Sequence, residues 1–292
     1  MTALRDTAKA KLNLTLEVVG RRDDGYHEIR SLVAFAALGD GLELEPGGTL
    51  ALRIEGPFAA ALSGDNLVIA AAQAARSKAR AVTLGRFRLT KILPVAAGLG
   101  GGSADAAAAL RLLAKANQGT LVEESWREIA EGLGSDVPAC LGSCPALITG
   151  RGEVVTTVRG FPPSAAVLAN PGLQLAAADV YGVLASSDLL APPEQPVETL
   201  DFGGSFKGLL DHAARRGNDL EPAALSLAPV VGEVLAALRR CQGAHLARLS
   251  GSGPTCFALF ATEDEAKLAA ASLKAAHSQW WVAATRLEAS AD

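Results

Sequence analysis

A glycine-rich segment in front of a helical run is the part of the chain best suited to chemistry. It reads PVAAGLGGGSADAA over residues 94–107, and four of the five residues from Gly98 to Gly102 are glycine. The first N–H groups of a helix have no partner inside it, and the helix dipole places partial positive charge there. Glycine lets an anion approach the backbone closely and tolerates positive φ. The segment predicts a phosphate-binding loop, with Ser103 either capping the helix or offering its hydroxyl to a phosphate or a metal.

Three other interpretations of this segment fit less well. A Walker loop needs Lys and then Ser or Thr after its last glycine, whereas Ser103 and Ala104 follow Gly102. A dinucleotide fingerprint fits only in part, because the acids about 20 residues on, Glu123 and Glu124, start a predicted helix and do not end a strand. A flexible glycine hinge is the remaining alternative. We expect a nucleotide-phosphate loop of a third kind.

Other polar residues are ordinary when taken singly. Lys11 alone is a solvated lysine on a strand, and Asp136 before Val137-Pro138 alone is a helix cap. Tyr26 and His27 follow a predicted turn at Asp24-Gly25. The segment SGSGPT at 250–255 is typical of a tight turn before a strand.

Composition limits the classes of function. The chain has 292 residues with 49% hydrophobic, enough for one large domain or two smaller ones. A net charge of −4 offers no basic surface for nucleic acid or an anionic membrane. No signal-peptide core and no run of roughly 18 apolar residues is seen, so we expect a cytoplasmic protein. The four cysteines form no CxxC pair, which favours buried, reduced thiols over a zinc site: Cys140, Cys144, Cys241 and Cys256.

Residue patterning predicts the elements that position these groups. KLNLTLEV at 11–18 alternates strictly, which predicts a half-buried strand with Lys11 and Asn13 on its polar face. The other predicted elements of the first half are strands at 41–45 and 50–54, a helix after Asp65 or Asn66, a strand over RFRLTKI, a helix from the glycines to near residue 117, a helix over WREIAEGLG, a short segment opening at Val137-Pro138 and a hairpin over 145–158.

The second half mixes strands and helices without a regular βα repeat. Its predicted elements are a strand over AAVLANP, a Pro-containing loop at 191–196, helices near 206–215, 223–240 and 263–276, and strands over CFALF and WVAATRL. Pro162-Pro163 marks a candidate boundary, so we expect domains at 1–160 and 161–292. The pattern predicts an α+β fold of two domains.

The glycine segment resembles a family signature. PVAAGLGGGSADAAAAL is similar to the phosphate loop of the GHMP kinases, which act on small molecules. AKLNLTLEV, DDGYH, GSDVP, RGEVV, NPG and GNDLEP resemble the branch that phosphorylates 4-diphosphocytidyl-2-C-methyl-D-erythritol, in the non-mevalonate isoprenoid pathway. The resemblance implies a ribosomal S5 domain 2-like N-terminal half and a ferredoxin-like C-terminal half. It also implies transfer of the γ-phosphoryl of ATP to the 2-hydroxyl of the acceptor.

The resemblance also implies roles for individual residues. Asp136 would be the general base, and Lys11 its partner, keeping the carboxylate ionised and stabilising developing phosphate charge. Asn13, Tyr26, His27 and Tyr181 would bind the acceptor, with aromatic rings stacking on cytosine and His reading its polar edge. A second glycine loop near the phosphates would be Gly251, Ser252 and Gly253. The implied ATP contacts are Pro94, Val95, Ala96, Ala97, Gly98, Leu99, Gly100, Gly101, Gly102, Ser103 and Ala104, with Asn66 near adenine or ribose.

The sequence departs from the family's pattern in places. Ala96 and Ala97 stand where relatives often have glycine, and Ala104 replaces a common second serine. Lys9 and Lys11 lie close together, and the K-L-N-L motif favours Lys11. We expect Mg²⁺ to arrive with ATP, because the sequence has no dedicated metal cage.

Three alternatives stay open at this point. Another GHMP kinase of mevalonate or homoserine type would share the glycine loop, but DGYH after the first strand is not expected there. A nicotinamide oxidoreductase would bind NAD(P) instead of turning over ATP. A non-catalytic relative would lack Lys11 or Asp136, and both are present. We expect small-molecule partners, no nucleic acid or membrane partner, and a monomer or weak homodimer.

Overall fold

The computed structural model describes residues 3–62, 64–184 and 199–289 and has two compact units. The first unit comprises Met1–Ala10, Leu38–Val95 and Gly100–Ser143, and the second comprises Lys11–Ala37, Ala96–Leu99 and Cys144–Asp292. Both units draw on strands β1 (Leu4–Asn13) and β3 (His27–Pro46). The division at residues 160 and 161 stays a prediction, as does the loop at 191–196, which lies outside the described residues.

The first unit combines strands with alanine-rich helices. The C-terminal half of β3 pairs antiparallel with β5 (Gly85–Thr90), which pairs parallel with β4 (Ala51–Glu55). Its helices are α1 (Leu67–Lys78), α2 (Gly101–Ala116), α3 (Glu123–Leu133) and α4 (Val137–Gly142). Alanine favours the helical state and its small side chain allows close packing, so α2 is buried from Ala104 to Leu110.

The second unit is built around an antiparallel sheet. Its strands are β8 (Ala165–Asn170), β9 (Leu246–Leu249), β10 (Cys256–Phe260) and β11 (Trp281–Arg286), in the order β11-β8-β10-β9. A hydrophobic core forms against helices α7 (Glu221–Leu227), α8 (Val230–Arg239) and α9 (Glu263–Ala276). The remaining elements are β2 (Glu17–Arg21), β6 (Ala146–Thr149), β7 (Val154–Thr157), α5 (Ala177–Val183) and α6 (Phe206–Arg216).

The predicted α+β class is confirmed, and several element predictions need correction. The strand expected over 11–18 ends at Asn13, and β2 begins at Glu17. Its polar face is buried too, since Lys11 is 4% exposed and Thr15 is 1% exposed. The strand expected at 41–45 is the end of the longer β3. The helix expected over 223–240 is two helices, α7 and α8, because Pro229 cannot donate the helical hydrogen bond.

The sequence predicts four buried thiols, and the structure buries two of them. All four cysteines are free thiols, and Cys140 and Cys256 are buried whereas Cys144 and Cys241 are partly exposed. Burial raises the pKa of the Cys256 thiol. Among the helices that the structure describes, none has the length and hydropathy needed to cross a membrane.

Candidate active site

The end of β1 carries two buried polar side chains of the second unit. Lys11 is 4% exposed and Asn13 is 3% exposed, whereas Lys9 is half-buried, so burial distinguishes the two lysines. The backbone N–H of Lys11 donates to Leu99 O at 2.9 Å. The N–H of Asn13 donates to Ser250 Oγ at 3.3 Å, and its amide Nδ2 donates to Ser31 Oγ at 2.8 Å. The strand therefore joins both predicted glycine loops by hydrogen bonds.

The two glycine loops contact each other directly in the second unit. Gly98 has φ +72°, and a Cβ there would lie 2.2 Å from Ser250 O, so this position tolerates only glycine. Ser250 Oγ donates to Gly98 O at 2.9 Å, and Thr255 N donates to Ala97 O at 3.2 Å. Ala96 also adopts a left-handed φ of 51°, a strained value for a residue with a Cβ. Hydrogen bonds from Ser250 and Thr255, which flank the second motif at 251–253, therefore join it to residues 97 and 98 of the first motif.

The start of α2 belongs to the first unit. Gly100 is the N-cap, with φ +62°, and the helix begins at Gly101. The prediction that Ser103 caps the helix is wrong, because Ser103 is the third residue of the helix. Its hydroxyl lies in the first turn, where a phosphate would meet the N–H groups that lack helical partners.

Asp136 precedes α4 in the first unit and is half-buried. It occupies the N-cap position, as the sequence predicts, but its side chain makes no capping hydrogen bond. Arg111 holds the other end of this short helix, since its NH1 group donates to Cys140 O at 2.7 Å. The carboxylate therefore belongs to a helix that Arg111 anchors. Its pairing with Lys11 stays a prediction.

The predicted acceptor residues include a stacked pair of rings in the second unit. The rings of His27 and Tyr181 lie 5.0 Å apart at 24°. Burial, followed by the charge of Arg21, lowers the pKa of His27, which leaves a neutral ring able both to donate and to accept a hydrogen bond at neutral pH. Tyr26 is 54% exposed, and the Arg151 guanidinium lies over its ring, 5.2 Å from the centroid. Arg151 was not predicted as a site residue, although the RGEVV motif contains it.

Asn66 is the N-cap of helix α1, which is one of the two caps that the sequence offers. Its Oδ1 accepts a hydrogen bond from Val68 N at 2.9 Å and caps α1. A Cβ at Gly102 would lie 3.6 Å from Leu67 Cδ1, so the beginnings of α1 and α2 are neighbours. This neighbourhood supports the prediction that Asn66 approaches the nucleotide, which stays a prediction.

A buried charge cluster behind α2 was missed at the level of sequence. Lys91 Nζ lies 2.6 Å from Asp40 Oδ2 and 2.7 Å from Asp105 Oδ2. The available signal was Asp105, a lone acid among alanines on a helix with apolar residues on every side. A charge in such a helix needs a partner, but the pattern does not say which residue supplies it.

Comparison with known families decides the class of protein. Residues 66–143 match the family described as GHMP kinases N terminal domain, and residues 202–279 match GHMP kinases C terminal. The chain belongs to the GHMP kinases. It is 48% identical to "4-diphosphocytidyl-2-C-methyl-D-erythritol kinase" of Rhodopseudomonas palustris, covering 97% of each chain. The relative of Methylobacterium radiotolerans with the same name is 47% identical, covering 98% of this chain and 100% of the relative.

A solved GHMP kinase structure gives the same result. The crystal structure of 4-(cytidine 5'-diphospho)-2C-methyl-D-erythritol kinase matches with a TM-score of 0.78 and 33% identity, covering 97% of this chain and 99% of the other. The glycine loop and Asp136 fall within the matched N-terminal region, and the loop at 251–253 falls within the matched C-terminal region. Membership of the GHMP kinases implies the use of ATP and favours a kinase over a nicotinamide oxidoreductase.

A hydroxyl in the first turn of α2 bears on how this GHMP kinase would hold a metal that arrives with the nucleotide. No cluster of three or more His, Cys, Asp or Glu side chains that could hold a metal ion occurs in residues 3–62, 64–184 and 199–289. Mg²⁺ commonly keeps waters and substrate phosphates as ligands, with few protein groups. The Ser103 hydroxyl lies in the first turn of α2 and is an oxygen of the kind that could join such a set.

Proposed function

We propose that the protein is an ATP-dependent 4-diphosphocytidyl-2-C-methyl-D-erythritol kinase of the non-mevalonate isoprenoid pathway. Full-length similarity to kinases of that name, at 48% and 47% identity, carries this conclusion. The glycine loop at the start of α2 supports it, since this geometry suits the phosphates of a nucleotide.

The reaction needs alignment, charge neutralisation and a proton acceptor. Asp136 takes the proton of the acceptor's 2-hydroxyl as that oxygen attacks the γ-phosphorus of ATP. The bond from the γ-phosphorus to its bridging oxygen breaks, and ADP leaves. Lys11 keeps the carboxylate ionised and stabilises charge on the transferred group. Mg²⁺ would arrive with ATP and would supply charge neutralisation at the phosphates, and the Ser103 hydroxyl would be the group that holds it on the protein.

The acceptor is held by its base and its polyol. Tyr26 and Tyr181 offer aromatic faces to cytosine, and the neutral His27 ring reads its polar edge. Asn13, buried on the same strand as Lys11, binds the methylerythritol portion. Gly251, Ser252 and Gly253 contact the phosphates, as do the loop residues 94–104, and Asn66 approaches adenine or ribose. A cytoplasmic location and a monomer or weak homodimer complete the proposal.

Acceptor choice is tested by supplying Mg²⁺-ATP with diphosphocytidyl-methylerythritol, mevalonate or homoserine in separate reactions. ADP release is followed in each, together with a reaction that lacks any acceptor. We expect ADP above that background only with the cytidine-linked acceptor. Faster ADP release with mevalonate or homoserine would assign the chain to another branch of the GHMP kinases.

A further inference from the structure

Three charged side chains fill a buried site behind the first turn of α2 in the first unit. Lys91 follows the end of β5 and is 2% exposed, Asp40 lies in β3 and is 0% exposed, and Asp105 lies in α2 and is 4% exposed. We refer to Lys91, Asp40 and Asp105 as the charge triad. Buried charges without partners are strongly destabilising, so each member depends on the others.

The two carboxylates are satisfied to different degrees. Asp40 Oδ1 accepts hydrogen bonds from the backbone N–H groups of Ile92 at 2.6 Å and Leu93 at 2.9 Å, while its Oδ2 accepts from Lys91. Asp105 Oδ2 accepts from Lys91, and Asp105 Oδ1 has no hydrogen-bond partner among the described residues. Asp40 therefore fixes the segment that follows β5, and Lys91 joins that segment to α2 through Asp105.

The triad lies directly against the phosphate-binding end of α2. A Cβ on Gly101, the first residue of the helix, would lie 3.2 Å from Lys91 Nζ and 3.9 Å from Asp40 Oδ2. Gly101 is not in the left-handed region, so the ammonium group explains the absence of a side chain there. An ammonium that occupies the space where a side chain of Gly101 would lie limits how far the first helical turn can move toward it.

We propose that Lys91 is a positioning residue for nucleotide binding, whose ammonium, tied to Asp40 and Asp105, holds the first turn of α2 in the place where its N–H groups meet the phosphates of ATP. The inference rests on the proposed function in taking the glycine loop as the ATP site. It adds residues outside segment 94–104 that act on ATP through the backbone of that segment.

Electrostatics agrees with this arrangement. One ammonium and two ionised carboxylates would leave a net negative charge behind a site that must bind a triphosphate. Burial raises the pKa of Asp105 to about 7; Lys91 opposes the rise and Asp40 adds to it. A proton on Asp105 makes the triad neutral. The triad then adds no negative charge that would weaken the attraction between the positive end of the helix dipole and the phosphates.

The test is ATP affinity measured by calorimetry without acceptor, together with the KM of the acceptor. We expect Lys91→Met to raise the Kd of ATP at least about 10-fold and to change the acceptor KM less than about twofold. Lys115→Met is the matched control, because Lys115 is an exposed lysine in the last turn of the same helix. We expect it to bind ATP as the wild type does.

A pair of substitutions at Asp105 decides the matter even where Lys91→Met does not fold. Asp105→Ala removes the oxygens that accept from Lys91 without adding bulk to the buried site, and we expect it to weaken ATP binding about 10-fold. Asp105→Asn keeps an oxygen for Lys91, and we expect it to restore the affinity to within about threefold of wild type. Equal affinities of the Ala and Asn variants would contradict the proposal.

Failure of this inference is distinguishable from failure of the proposed function. Wild-type protein that binds ATP but phosphorylates no cytidine-linked acceptor would contradict the acceptor assignment and leave the triad's role intact. Normal phosphoryl transfer, with an unchanged Kd of ATP in folded Lys91→Met, would contradict the triad's role alone. A Lys91→Met variant that loses affinity for both ligands equally would assign the triad a purely structural role and contradict the inference.

Discussion

At the scale of single residues, Asp136 is the side chain whose removal separates chemistry from binding. It makes no capping hydrogen bond to α4, so replacing its carboxylate with an amide removes no helix cap. We expect Asp136→Asn to slow turnover by roughly 10²–10⁴-fold because the amide cannot accept the hydroxyl proton. The Kd of ATP and the melting temperature should stay close to wild type. Calorimetry and steady-state kinetics check this, with the exposed Asp264→Asn as control; full turnover would contradict the assignment as base.

Tyr26 is the residue that best tests recognition of the cytidine group. Its ring is 54% exposed and carries the Arg151 guanidinium over one face, so truncation removes stacking surface without opening a core cavity. We expect Tyr26→Ala to raise the acceptor KM by roughly 3–10-fold, while Tyr26→Phe keeps the ring and stays near wild type. The KM of ATP should change less than about twofold in both variants. Equal changes for the two substrates would remove Tyr26 from the acceptor site.

At the scale of elements, the contact between the glycine loops is a matter of backbone geometry. A methyl group on Gly98 would meet a backbone oxygen at 2.2 Å and would have to adopt φ +72°. We expect Gly98→Ala to lower the free energy of unfolding by at least about 2 kcal/mol. Gly132→Ala in α3 is the matched control, because no atom lies within 4 Å of its Cβ position. It should raise stability by up to about 1 kcal/mol through helix propensity. Urea unfolding measures both, and equal losses would contradict the argument.

Element predictions succeed where the deciding contacts are local. Helix α9 spans the predicted residues because Thr262 and Glu265 form a capping box within its own first turn. The alternating pattern of strand β1 predicts an exposed polar face, but that face is buried. The Asn13 side chain donates to Ser31 Oγ, and the Asn13 N–H donates to Ser250 Oγ, far along the chain. Lys91 likewise meets Asp40 and Asp105 only after folding. The glycine motif was visible in sequence, whereas the residues behind it depend on tertiary contacts.

At the scale of the whole molecule, two buried groups make stability depend on pH, and their pKa values are shifted in opposite directions. Burial raises the pKa of Asp105 to about 7 and lowers that of His212, which also faces Arg216 and Arg215, to about 4. Between about pH 4 and 7, native Asp105 keeps a proton that the unfolded chain releases, so this contribution falls as the pH rises. Between about pH 4 and 6.5, His212 binds a proton in the unfolded chain but not in the native state. Its contribution to the free energy of unfolding therefore rises with pH.

Substituting each group in turn should therefore change the pH profile in opposite directions. Asp105→Asn removes a carboxylate that is penalised only when ionised, so we expect it to gain at least about 2 kcal/mol relative to wild type at pH 8 compared with pH 5. His212→Gln removes the proton that stabilises the unfolded chain in acid, so it should gain about 2 kcal/mol relative to wild type at pH 5 compared with pH 8. Urea unfolding at the two pH values gives both differences. Profiles parallel to wild type in both variants would show that neither group titrates differently in the folded and unfolded states, because each difference arises only from such a change.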